Sequence, residues 1–114
     1  MKKVLLDENL PRQLKTLFTE NLEVTTVPGL GWQSKKNGEL LAAMVDAGIG
    51  YLITADRNLR FQQNLGAAQV KLIILLTHDI RRKTLEPFVS RIEQEVVNWD
   101  GADEFLEIDL REAA

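Results

Sequence analysis

The sequence predicts an α/β protein, a mainly parallel sheet with helices on both faces. Three observations carry the prediction. Short apolar runs near 2–6, 24–27, 49–54, 70–76 and 105–110 have the length and β-branched content of strands. The stretches between them place apolar residues at helical spacing. Strict alternation of the two element types favours parallel strands joined by crossovers. At 114 residues the chain suits one domain.

Taken in order, residues 2–6 read as a short buried strand that stops at Asp7 and Glu8. Asn9, Leu10 and Pro11 then turn into a helix, with Pro near its first turn, where a missing N–H costs nothing. Leu10, Leu14, Leu17 and Phe18 share one face of that helix, which ends near Glu20. The β-branched run 24–27 gives a second strand, and Pro28, Gly29 and Gly31 mark a loop reaching Trp32. A helix capped by Asn37 carries Leu40, Leu41, Met44 and Ala47 inward and closes at Gly48. The third strand, 49–54, ends before Asp56, which caps or begins a short helix through Asn64. The run 70–76 is apolar almost throughout, the pattern of a strand buried on both faces. Thr84 caps a long helix with Pro87 in its first turn and Leu85, Phe88, Val89, Ile92 and Val96 on its buried side. Alternating apolar and acidic residues at 105–110 give an edge or tail strand.

Composition narrows the function classes. The chain has no Cys, which excludes disulfides and thiolate chemistry. The run after Lys2 and Lys3 is too short for a signal peptide, and 72–76 is too short to span a bilayer, so a cytoplasmic protein without a membrane partner is expected. Net charge is −3, but it is uneven. Up to Leu85 there are 12 Lys/Arg against 8 Asp/Glu; from Glu86 onward there are 2 against 9. The body is mildly basic, and the helix and strand at about 84–112 are acidic.

In a parallel sheet all βα loops gather on one edge, where ligands bind in open α/β folds. Asp7, Glu8, Asn9 and Arg12 follow the first strand. Gln33, Lys35, Lys36 and Glu39 follow the second. Thr54, Asp56, Arg57, Asn58 and Arg60 close the third, and His78, Asp79, Arg81, Arg82 and Lys83 follow the fourth. Eight of the 14 Lys/Arg fall in these loops. Two strands ending in carboxylates suggest a divalent-metal site, Mg²⁺ or Mn²⁺, and hence a hydrolase. An acidic centre with a basic rim is what metal-dependent phosphodiester cleavage needs. Each residue also has a plainer reading. Asp7 and Asp56 could cap turns, Glu39 gains from a helix dipole in a first turn, and Glu8 reads as a surface residue. His78 reads as a loop residue, Arg81-Arg82-Lys83 as a solvated run, and both Trp32 and Trp99 as packing residues.

Leu5-Leu6-Asp7-Glu8-Asn9-Leu10-Pro11 resembles the opening of small bacterial PIN-like proteins, close to the toxin-type PIN nucleases. The resemblance continues through Gly29-Leu30-Gly31, Asn37-Gly38-Glu39-Leu40-Leu41 and Tyr51-Leu52-Ile53-Thr54-Ala55-Asp56-Arg57-Asn58-Leu59, in order and spacing over residues 3–76. It implies a three-layer α/β/α sandwich and cleavage of single-stranded RNA with Mg²⁺ or Mn²⁺. Asp7, Glu39 and Asp56 would be the metal-holding acids, with Thr54 as the hydroxyl residue and Glu8 and Asn9 in support. Arg12, Lys35, Lys36, Arg57, Arg60, Arg81, Arg82 and Lys83 would hold the RNA. The pattern departs at Asn58, where relatives often carry a further acid; Asn can lend a carbonyl but no charge, and Asp79 is a candidate substitute. Two readings follow from the resemblance, a toxin ribonuclease with an antitoxin partner, or a catalytically inert module that binds RNA or protein. A receiver-like phosphoacceptor is disfavoured, because no Lys follows the last strand. The strand at 105–110 could pair two copies into a homodimer.

Overall fold

The computed structural model describes residues 1–59 and 69–111. Among them, β1 (Lys2–Leu6), β2 (Leu22–Thr26), β3 (Tyr51–Thr54), β4 (Lys71–Leu76) and β5 (Phe105–Asp109) form one sheet in the order β2-β1-β3-β4-β5. Every neighbouring pair is parallel.

Alternation along the strands builds two cores. Val4 and Leu6 face one side with Ile53, Ile73, Leu75 and Ile108, and they pack against Leu14, Leu85, Val89, Ile92 and Val96. Leu5 faces the other side with Leu52, Leu72, Ile74 and Leu76, under Leu40, Leu41 and Met44 of α1 (Asn37–Asp46). The molecule is therefore a three-layer α/β/α sandwich. The apolar run of β4 is buried from Leu72 to Leu76, as expected for a strand covered on both faces. No helix among the described residues is long and apolar enough to cross a membrane.

The connections explain the strand order. The chain leaves β1, covers one face and returns as β2. It then covers the opposite face with α1 and returns as β3 on the other side of β1. Gly48, at φ +75°, ends α1 in the left-handed conformation expected of it. Winding reverses between β1 and β3, so their C-terminal ends form the switch point, the place where doubly wound folds take ligands.

Two helices differ from expectation. The segment after Pro11 is a 3₁₀ helix over Arg12–Leu17, not an α-helix reaching Glu20. Six residues cannot sustain a helix by propensity, and Leu14 alone buries itself there. Leu17 stays 45% exposed, and Phe18 packs on the core from extended backbone instead. The long helix starts upstream of Thr84 and is interrupted. It runs as α2 (Arg82–Leu85), a 3₁₀ turn at Glu86–Phe88 and α3 (Val89–Asn98). Pro87 lacks an N–H and cannot make the i→i−4 bond, so the run tightens to a 3₁₀ turn there while the backbone at Glu86 stays helical (φ −50°, ψ −45°). Arg81, not Thr84, stands at the N-cap position. Asn37 opens α1, with Lys36 at its N-cap position. β2 and β3 are shifted to Leu22–Thr26 and Tyr51–Thr54. The helix expected after Asp56 falls largely outside the described residues, as does Arg60.

Candidate functional site

Register places Leu6 beside Ile53, so the residues that follow β1 and β3 come together at the switch point. The ladder runs one step further, with the Asp7 N–H donating to Ile53 O at 2.9 Å. Thr54, fully buried, is the centre of what gathers there. Its hydroxyl donates to Asp7 Oδ2 at 2.7 Å. It accepts from Asn9 Nδ2 at 3.2 Å and from the Asp56 N–H at 3.0 Å. Asn9 Oδ1 accepts the Ala55 N–H at 3.4 Å, and Asp7 Oδ1 accepts the Glu8 N–H at 2.8 Å. Asp56 Oδ1 accepts the Asn58 N–H at 3.0 Å, which makes Asp56 a turn-forming residue. Asp7, Asn9 and Asp56 are half-buried, while Glu8, Arg57 and Asn58 are exposed. Among the described residues no Lys or Arg forms an ion pair with Asp7 or Asp56.

Other expected members lie apart from this network. Glu39 is exposed in the first turn of α1 and takes no part in the hydrogen bonds around Thr54. Asp79, the candidate substitute for the acid absent at Asn58, is engaged by Arg81 at the N-cap of α2. Hydrogen bonds from the Thr84 side chain and from the Arg81 side chain and N–H hold its carboxyl down at about 2. Those contacts tie it to the start of α2. Arg81 pairs with Asp79, and Arg82 with Glu86. Arg12, Lys36 and Lys83 are exposed and Lys35 is half-buried. The loop carrying Lys35 and Lys36 is shaped by Thr26, whose Oγ1 accepts the Gly29 N–H at 2.9 Å. A Cβ on Gly29 would lie 2.7 Å from that oxygen, so the turn needs glycine. His78 is an exposed loop residue, and Trp32 packs against the core under α1. Among the described residues, no three His, Asp or Glu side chains come together to hold a metal ion.

Two polar anchors escaped the sequence reading. Glu93 on α3 is 9% exposed and accepts both the N–H (2.6 Å) and the hydroxyl (2.8 Å) of Thr19. Its signal was visible as an acid one residue beyond Ile92 on an otherwise apolar stripe. Lys2 donates to Val96 O at 2.7 Å, Val97 O at 3.2 Å and Trp99 O at 2.7 Å. Nothing in the local sequence signals a partner so far along the chain. A cleft of about 610 Å³ opens beside Lys2 at the N-terminal edge of the sheet, and none of the Thr54 network lines it.

The fold and site together define a doubly wound parallel α/β protein with an acidic switch point. The chain matches no protein-family model, no curated protein and no solved structure.

Proposed function

We propose that the chain is a PIN-like, metal-dependent ribonuclease acting on single-stranded RNA. The observation that carries the reading is the Thr54 hydroxyl locked onto Asp7 at the switch point, beside Asp56. The donors are oxygens from Asp7 and Asp56, with Asn58 beside them, the set that suits a hard divalent ion. Mg²⁺ is often held by one or two carboxylates, with water and substrate phosphate completing its shell, so two acids meet the requirement. Such an ion, when bound, activates water and stabilises charge on phosphate oxygens. Asp7 and Asp56 would hold it. Thr54 fixes the Asp7 carboxylate, and Arg12, Lys36 and Arg57 supply cations for the backbone phosphates.

The test is thermal stability of wild type and Asp7→Asn with and without Mn²⁺. At a hundredfold excess over Kd, a single site adds about 2.7 kcal/mol, a shift of several degrees. Wild type should gain it and the variant should not, and single-stranded RNA should be cut only by wild type. No shift in either protein would remove the nuclease reading. One observation favours a second reading, an inert PIN-like module that binds RNA or protein: Glu39 stands outside the Thr54 network. That module would bind single-stranded RNA equally well with EDTA present.

A further inference from the structure

Asn9 contributes no charge and tends to pass as loop filler, yet it bridges the β1 and β3 ends. Its orientation follows from donor and acceptor logic alone. The Ala55 N–H can only donate, so the Asn9 atom facing it at 3.4 Å must be the amide oxygen. The amide nitrogen is thereby turned to Thr54 Oγ1, 3.2 Å away, where it can only donate. The Asp56 N–H donates to the same oxygen at 3.0 Å. A hydroxyl has two lone pairs and one proton. Both lone pairs of Thr54 are now used by donors, so its proton has one remaining acceptor, Asp7 Oδ2 at 2.7 Å. With the Glu8 N–H on Oδ1, both oxygens of Asp7 are held, and each keeps a lone pair for a ligand.

We propose that Asn9 is a positioning residue, which sets the direction of the Thr54 hydroxyl and so locks Asp7 in the orientation that receives a metal. The part concerning metal rests on the nuclease reading; the direction of the hydroxyl does not. The informative variant is Asn9→Asp, which keeps size and shape. Its carboxylate can still accept from Ala55 but cannot donate to Thr54, and it competes with Asp7 for the hydroxyl proton. Counting acids predicts tighter metal binding in this variant. The polarity argument predicts weaker binding.

The experiment has two readouts. In metal-free protein, NMR should find a slowly exchanging Thr54 hydroxyl proton in wild type, and Asn9→Asp and Asn9→Ala should both accelerate its exchange. In a Mn²⁺ titration followed by thermal shift, affinity should fall about tenfold or more in both variants, the range of outer-shell partners. A purely structural Asn9 would lower the metal-free melting temperature and leave Mn²⁺ affinity unchanged. Unchanged hydroxyl exchange, or equal or tighter Mn²⁺ binding by Asn9→Asp, overturns the proposal. A wild type that ignores Mn²⁺ yet shows the Asn9-dependent hydroxyl upholds the polarity and removes the nuclease reading. The use of Asn9→Ala keeps the test valid if the acidic variant does not fold.

Discussion

Lys2 and Asp7 stand at opposite ends of the same strand and use their charges in opposite ways. The ammonium of Lys2 has three protons, and three carbonyls at the end of α3 receive them. It also lies 5.5 Å from the Tyr51 ring, which meets Trp99 edge-on at 6.2 Å. A cation on the negative end of a helix dipole, with every donor satisfied, is committed to holding α3 on the sheet. Among the described residues, Asp7 receives side-chain hydrogen bonds from two neutral donors, the Thr54 hydroxyl and the Glu8 N–H. Its orientation is fixed while its charge remains uncancelled by any described cation. Charge closed within the fold supports structure; charge that is oriented but left over is available to a ligand.

Asp7→Asn is the strongest test of that contrast. The amide has one oxygen and so loses one of the two bonds the carboxylate accepts, from Thr54 or from the exposed Glu8 N–H, and stability should fall by about 1 kcal/mol. Cleavage of single-stranded RNA should fall by more than about 100-fold, beyond the range of outer-shell partners. Thr54→Val should affect both properties. It strands the Asn9, Asp56 and Asp7 groups that converge on one oxygen, which costs about 2 kcal/mol in chemical denaturation and abolishes the Mn²⁺ response. Thr54→Ser should retain both. Lys2→Met should do the reverse of Asp7→Asn, with a loss of about 1–2 kcal/mol and an unchanged Mn²⁺ affinity. If Lys2→Met alters metal affinity, the two ends are not independent. The smallest effect belongs to Asp79, an acid of the same edge that the fold has closed. Its pKa is lowered to about 2 by hydrogen bonds from Thr84 and Arg81. A lowered acid stabilises the fold above its ordinary value and loses that contribution as pH falls. A carboxyl NMR titration should therefore place the Asp79 midpoint near 2, with its contribution to α2 lost between about pH 4 and 2. Asp79→Asn should leave Mn²⁺ affinity unchanged.

The sequence made the sheet legible because each strand reports itself locally. Residues 2–6 form β1 as read, and the unbroken apolar run of β4 announced burial on both faces. The meeting of Asp7 with Thr54 at one edge was legible too, since parallel strands must deliver their C-terminal residues there. The helices were less so. Leu10, Leu14 and Leu17 have α-helical spacing, but tertiary packing takes only Leu10 and Leu14, and the segment tightens to 3₁₀. Pro87 was placed in a first turn when it interrupts a helix already under way. Glu39 has two readings in the sequence, a helix-dipole acid or a metal-holding one implied by the resemblance, and its position on α1 leaves it exposed and outside the network. Lys2 and Glu93 make contacts across 94 and 74 residues, and no local pattern encodes a partner at that distance.

The Lys2 contact also sets an order of events during synthesis. β1 is made before the other four strands and lies inside the finished sheet, between β2 and β3. Its anchoring ammonium nevertheless needs carbonyls at Val96 and Trp99. Residues are added at about 5–20 per second, so Lys2 waits several seconds for its partners. Throughout that interval β1 can pair with β2 and β3 but lacks the anchor that joins it to α3.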